Sequence, residues 1–144
     1  MPLSAGADAW NNGIIKNFRE NEGRVTIPPF VGATLLLLTT SGARSGLPRT
    51  APLGYQRGGD GYVVIGSNSG LPANPEWFHN LKSNPVATAE VGAETFQVRA
   101  RFTEGAERRR LFDATIAKVP AFGEYEGMTD RELPVIVLEP VDKG

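Results

Sequence analysis

Cysteine is absent from the 144 residues, which excludes disulfides, thiolate catalysis, iron–sulfur clusters and cysteine–zinc sites. Any redox role has to come from a bound organic cofactor. Histidine occurs once, at His79, so there is no second imidazole for a transition-metal site and no named partner for a catalytic triad. No Gly-x-Ser-x-Gly elbow, P-loop or Gly-x-Gly-x-x-Gly turn is present, which removes the hydrolase elbow and the common nucleotide folds. Long hydrophobic runs are also missing, since the greasiest stretch ends in "LLLL" at 35–38 and falls far short of the roughly 20 residues that span a bilayer. The opening "MPLSAGADAW" has no basic region followed by an apolar core, so a soluble cytoplasmic protein is expected. Neither sign of charge is in excess: 15 Lys+Arg against 16 Asp+Glu give a net charge of −1 and no global pull on nucleic acid or an anionic membrane. An anion would have to be held by a local cluster of cations.

What is present reads as a turn-rich domain. The 17 glycines and 11 prolines favour β architecture over a helical bundle, and the length suits one domain over 1–144, with an N-terminal helix and lead-in at 1–24 and a β-barrel at 25–140. Trp10, Ile14, Ile15 and Phe18 recur at helical spacing after Asp8, predicting an amphipathic helix over 8–20. Its apolar stripe reads as core; the alternative is a membrane surface, with Lys16 and Arg19 as its only cations. "ATLLLLTT" at 33–40 predicts a strand covered on both faces, and 49–57 a second strand that Pro52 pushes toward an edge. "GGDG" turns into a strand at 62–66, and Asn74 as N-cap with Pro75 at the first helical position opens a short helix ending before Asn84. Residues 86–91 and 95–102 form a hairpin, Thr103 caps a helix to about Val119, and "LPVIVLEP" at 133–140 is the last strand. The arginine run 108–110 is interleaved with acids and reads as a solvated helix face. The sum is α+β: about six antiparallel strands closed into a small barrel with flanking helices, because closure removes unpaired edges.

Three places carry anion-binding chemistry. In "TTSGARSGLPRTAPL" at 39–53, Gly42 and Gly46 admit close backbone approach, Ser41 and Ser45 add donors, and Arg44 and Arg49 add charge. "GSNSG" at 66–70 is a small-residue loop after a strand, containing Ser67, Asn68, Ser69 and Gly70. The helix start at Asn74 to Trp77 offers free amides, with Asn80 and Lys82 about a turn beyond. Trp77 is either a flat wall for a ligand or a core anchor. Hydrogen bonds to charged groups contribute roughly 1.5 to 3 kcal/mol each, so three or four approach the roughly 8 kcal/mol of micromolar binding, which suits a phosphorylated organic ligand.

"LLLLTTSGARSGLPRTAPL", "VVIGSNSG", "NPEWFHNLKSNP" and "TDRELPVIVLEP" resemble, in order and spacing, the deazaflavin-dependent nitroreductases, also described as F420-dependent quinone reductases. The resemblance runs from about 34 to 140 and implies a split β-barrel of the flavin-binding pyridoxamine-phosphate oxidase kind. It implies coenzyme F420, a reduced 8-hydroxy-5-deazaflavin with a phosphate and glutamyl tail, as hydride donor to a small-molecule acceptor. By resemblance, Arg44, Ser45, Gly46 and Arg49 hold the tail, Ser67, Asn68, Ser69 and Gly70 run beside the ring, and Trp77, Asn80 and Lys82 complete the groove. Ser67 is the candidate donor to the charge the acceptor gains, and Tyr125 shapes its pocket or relays a proton. Nitroimidazole-reducing members carry two adjacent cations where this chain has Ala43 and Arg44, a lysine at Asn68, and more tyrosines around Val119, Phe122 and Tyr125. The expected acceptors are a quinone, an α,β-unsaturated carbonyl or lactone, or a nitroaromatic, and with fewer phenols an apolar pocket would suit the hydrophobic ones. FMN on the same barrel and a non-catalytic deazaflavin carrier are the rival readings. Barrels of this kind often pair, so a homodimer is an open expectation.

Overall fold

Residues 12–24, 26, 34–58, 61–66, 74–118, 120–129 and 132–141 are described by the computed structural model, the side chains of Ala121, Phe122 and Tyr125 excepted. In chain order they form α1 (12–20), β1 (Leu35–Ser41), β2 (Pro48–Gly54), β3 (Gln56–Gly58), β4 (Gly61–Ile65), α2 (Glu76–Ser83), β5 (Val86–Val91), β6 (Glu94–Phe102), α3 (Gly105–Lys118), α4 (Ala121–Glu126) and β7 (Val135–Pro140). The strands make one antiparallel sheet in the order β2-β1-β5-β6-β7-β4-β3. Its two edge strands, β2 and β3, are separated in the chain by Tyr55 alone. Laid flat, six inter-strand gaps would span about 29 Å, whereas one residue reaches about 3.5 Å. The sheet has therefore curled until its edges approach, which is the barrel that the strand pattern predicts and the split form of it that the resemblance implies. Tyr55 lies edge-on to Tyr62 at the seam, with ring centroids 5.3 Å apart, and burial pushes its phenol above the usual value.

The four leucines are explained by the two faces of β1. Leu36 and Leu38 point into the barrel beside Val64, Val98, Ile136 and Leu138, while Leu37 points out against Ile14, Ile15 and Phe18 of α1. Burying each of those side chains is worth about 1.5 to 3 kcal/mol, so the apolar stripe of α1 is spent on the sheet. On the opposite flank, Val63, Ile65, Val135 and Val137 carry α3 through Phe112. Phe96, Val98, Ala100 and Phe102 of β6 face inward and Gln97, Arg99 and Arg101 outward, as their alternation predicts.

The structure corrects several local expectations. The second strand is two, cut at Tyr55 where the chain changes edges, which raises the count from about six to seven. The cap of α2 is Pro75, with extended backbone (ψ 157°) and no side-chain cap hydrogen bond, so Asn74 is not the N-cap. Thr103 does not stand at the cap of α3, which begins at Gly105 with Glu104 directly before it; the Thr103 hydroxyl donates to the carbonyl of Val135 at 2.7 Å and so ties the helix entry to β7. Arg108 is buried: its Nε donates to Leu133 O at 2.9 Å and its guanidinium stacks on Phe112. Helix α4 had no sequence signal strong enough to predict it. Residues 8–11 of the predicted first helix lie outside the described residues.

Candidate functional site

The β1–β2 connection closes on itself through its own backbone. The Gly42 amide donates to Leu47 O at 2.8 Å, the Gly46 amide to Gly42 O at 2.9 Å, and the Leu47 amide to the Ser45 hydroxyl at 3.1 Å. Gly46 sits at φ +74°, a conformation that glycine reaches without Cβ strain, and a Cβ on Gly42 would stand 2.7 Å from Ser45 Oγ. The Ala43 amide is taken by Asn80 Oδ1 at 2.9 Å. Among the described residues this leaves two loop amides unspent, those of Arg44 and Ser45.

Arg49 pairs with Thr40 in register, and directly opposed residues share a face. Thr40 follows Leu36 and Leu38 on the inward face, so Arg49 leaves the strand on the concave side, at the barrel end where α2 sits. Its Nε comes within 3.8 Å of the place a Cβ on Gly42 would occupy. Neither Arg44 nor Arg49 has an ion-pair partner among the described residues, and both are exposed.

Helix α2 seals that end of the barrel with Trp77, Asn80 and Leu81. Trp77 belongs to the interior cluster with Leu36 and Leu38, so it is a core anchor, not an open wall. Asn80 is 2% exposed, and its Nδ2 donates to Thr40 Oγ1 at 2.9 Å while its Oδ1 holds Ala43. Lys82 lies elsewhere on the helix, with its ammonium 4.5 Å from the Phe102 ring centroid and 5.7 Å from that of Phe78. Ser67, Asn68, Ser69 and Gly70 fall outside the described residues, as does the Tyr125 side chain. The residue before that loop, Gly66, packs against Pro75 at the start of α2; a Cβ there would be 3.4 Å from Pro75 Cδ.

Sequence reasoning missed Thr40 and the Ala43 amide. Their signal is the alternation that turns 36, 38 and 40 inward, which buries a hydroxyl and demands a partner for it. No group of three His, Asp or Glu side chains among the described residues could hold a metal ion. A cleft of about 240 Å³ between α1 and the β5–β6 turn contains Arg19, Glu22, Glu90 and Glu94, but Arg19 is already bidentate on Glu90 at 2.9 and 2.7 Å. Its remaining charge is acidic, so the anion chemistry sits at the other end of β1.

The sequence pattern of the F420H2-dependent quinone reductases matches residues 12–140. An F420H2-dependent quinone reductase of Mycobacterium tuberculosis is 38% identical over 106 residues, covering 72% of this chain and 71% of that protein. A solved F420H2-dependent reductase is 34% identical with a TM-score of 0.68, covering 74% of this chain and 94% of the other. A structure described as a domain-swapped dimer is 28% identical with a TM-score of 0.70, covering 96% of this chain and all of that one. With barrel, loop and sequence in agreement, this chain belongs to the F420H2-dependent quinone reductase family.

Proposed function

We propose that the protein transfers a hydride from F420H2 to an electron-poor, hydrophobic acceptor of the quinone or α,β-unsaturated carbonyl class, with the 42–49 loop gripping the coenzyme's phosphate and glutamyl tail. The observation that carries this reading is the pair of arginines without a carboxylate among the described residues, beside two unspent amides. That donor set fits an elongated polyanion. Two guanidinium groups and two amides supply on the order of 6 to 12 kcal/mol before solvent screening and ordering costs, enough for micromolar binding at about 8 kcal/mol.

The bound deazaflavin would supply the hydride. The chain's own residues do the rest. Arg44 and Arg49 neutralise the tail, the amides of Arg44 and Ser45 and the Ser45 hydroxyl donate to its oxygens, and Gly46 permits the turn that aims them. Ser67, Asn68, Ser69 and Gly70 line the ring, Ser67 donates to the oxygen that gains charge on the acceptor, and Tyr125 shapes the acceptor's pocket. Trp77 acts from below by fixing α2, and Lys82 adds positive potential on the outer flank.

No helix among the described residues is long and apolar enough to cross a membrane. We place the protein in the cytoplasm. Membrane contact through the first helix would need residues before 12, since Ile14, Ile15 and Phe18 are packed against Leu37. A homodimer is proposed from the likeness to the domain-swapped structure, and a monomer mass by light scattering would remove it.

The decisive assay follows F420H2 absorbance with purified protein and a quinone, an activated enone or a nitroarene. Protein-dependent oxidation with the quinone or enone is expected. Unchanged absorbance with all three, despite tight F420 binding, would leave a carrier; yellow protein that retains FMN and ignores F420 would overturn the cofactor.

A further inference from the structure

We infer that Asn80 is a positioning residue for the coenzyme's tail: it does not touch the ligand but holds the 42–49 loop in the shape that binds one. The inference rests on the reading that this loop grips the tail.

Both functional ends of the Asn80 amide are spent on the chain leading into the cationic turn. Nδ2 donates to Thr40, 40 residues away, and Oδ1 accepts from the Ala43 amide, 37 residues away, so the side chain is a strut between α2 and the loop. Thr40 extends the strut, donating to the Arg49 carbonyl at 3.5 Å. The strut thus meets the backbone next to each arginine: Ala43 directly precedes Arg44, and the Arg49 carbonyl belongs to the second cation. Three bonds close the loop on itself, but among the described residues the strut is the side-chain tie that fixes the closed loop to the rest of the barrel. Glycines stand at 42 and 46, and its one large apolar side chain, Leu47, is 58% exposed and anchors nothing. Helix α2, by contrast, keeps Trp77 and Leu81 in the barrel core whether or not Asn80 is present. Loss of the strut should therefore free the loop and spare the helix. The two unspent amides and two guanidinium groups would then have to be ordered on binding, and ordering backbone costs about 1 to 2 kcal/mol per residue.

The test compares oxidised F420 with a tail-free 8-hydroxy-5-deazaflavin by equilibrium titration, alongside steady-state kinetics. Asn80→Ala should raise the Kd and KM for the tailed coenzyme by about tenfold or more, while the tail-free Kd and the kcat at saturating coenzyme change by less than about threefold. Thr40→Val should move the same way by a smaller factor, and Thr40→Ser, which keeps the hydroxyl, should stay near the parent. Unchanged F420 affinity in Asn80→Ala, or an equal loss for both deazaflavins, overturns the inference. If Asn80→Ala does not fold, the Thr40 pair decides: equal F420 affinity for the Val and Ser forms overturns it. A parent protein that binds the two deazaflavins equally well, or an Arg44→Ala, Arg49→Ala variant with undiminished affinity, sinks the tail reading itself and the inference with it.

Discussion

Arginines occur at two ends of this molecule in opposite states. On the α3 flank, Arg101 holds Glu107 at 2.8 Å and Glu139 at 3.1 Å, and Arg109 holds Asp113 at 2.6 Å and Glu126 at 3.0 Å. Arg108 beside them is buried on Phe112. At the β1–β2 loop, Arg44 and Arg49 have no carboxylate among the described residues. The run of three consecutive arginines is the more conspicuous in sequence, yet two of its members are committed to the protein. What separates the two ends is not the local density of charge but whether the guanidinium groups already hold a carboxylate.

The sharpest way to break that contrast is to remove charge at each end. Arg44→Ala with Arg49→Ala deletes two charge-assisted contacts of about 1.5 to 3 kcal/mol each before screening, so F420 affinity should fall by tenfold or more. The residual binding should lose most of its salt dependence. Arg109→Ala should leave both quantities where they were. Titrations at low and high salt decide it: equal losses at the two ends would erase the distinction.

The architecture was more legible than the site, and the reason is period. Alternation along "TFQVRARF" and the doubly covered leucines reported which faces are buried, because burial writes itself on every second residue. The change of edge at Tyr55 left no such mark, being a property of how the whole sheet curls. In the site, Arg44 and Arg49 could be picked out as residue types suited to an anion, but the roles of Asn80 and Trp77 could not. Both face the barrel on one side of a short helix, and only the packed structure shows that one props the loop while the other fills the core. Thr103 misled for a similar reason: its hydroxyl donates to the carbonyl of Val135, 32 residues away, a neighbour that only the folded sheet brings to it.

A second comparison sets the side-chain strut under the loop against a purely backbone contact at the other end of β1. Gly23, at φ +90°, packs so tightly on the β5–β6 turn that a Cβ would penetrate Gly92 Cα and stand 2.8 Å from its nitrogen. Gly23→Ala should cost about 2 kcal/mol or more, from overpacking against backbone added to a left-handed conformation. Denaturant midpoints should show it, with F420 affinity per folded molecule unaltered. The preceding Glu22 holds φ +54° without being glycine, so Glu22→Gly should stabilise by up to about 1 kcal/mol. If Gly23→Ala weakened coenzyme binding as much as folding, the two ends of β1 would not be independent.

The smallest expected effect concerns the paired charges themselves. Hydrogen bonds from Arg109 hold the Asp113 carboxyl below its ordinary range, and Arg101 does the same to Glu107. A depressed folded-state value means the ionised form is favoured in the native protein, so this stabilisation is complete at neutral pH. It disappears as pH falls below the unfolded values near 4 and through the lower folded ones. Melting temperature should therefore decline in that acid window, and the decline should be shallower in Arg109→Ala. Both pairs are solvent-exposed, so the difference will be small and should shrink further in high salt. F420 binding has no share in these pairs, so its affinity at neutral pH should be the same in Arg109→Ala and the parent. A change there would mean that the α3 flank communicates with the loop.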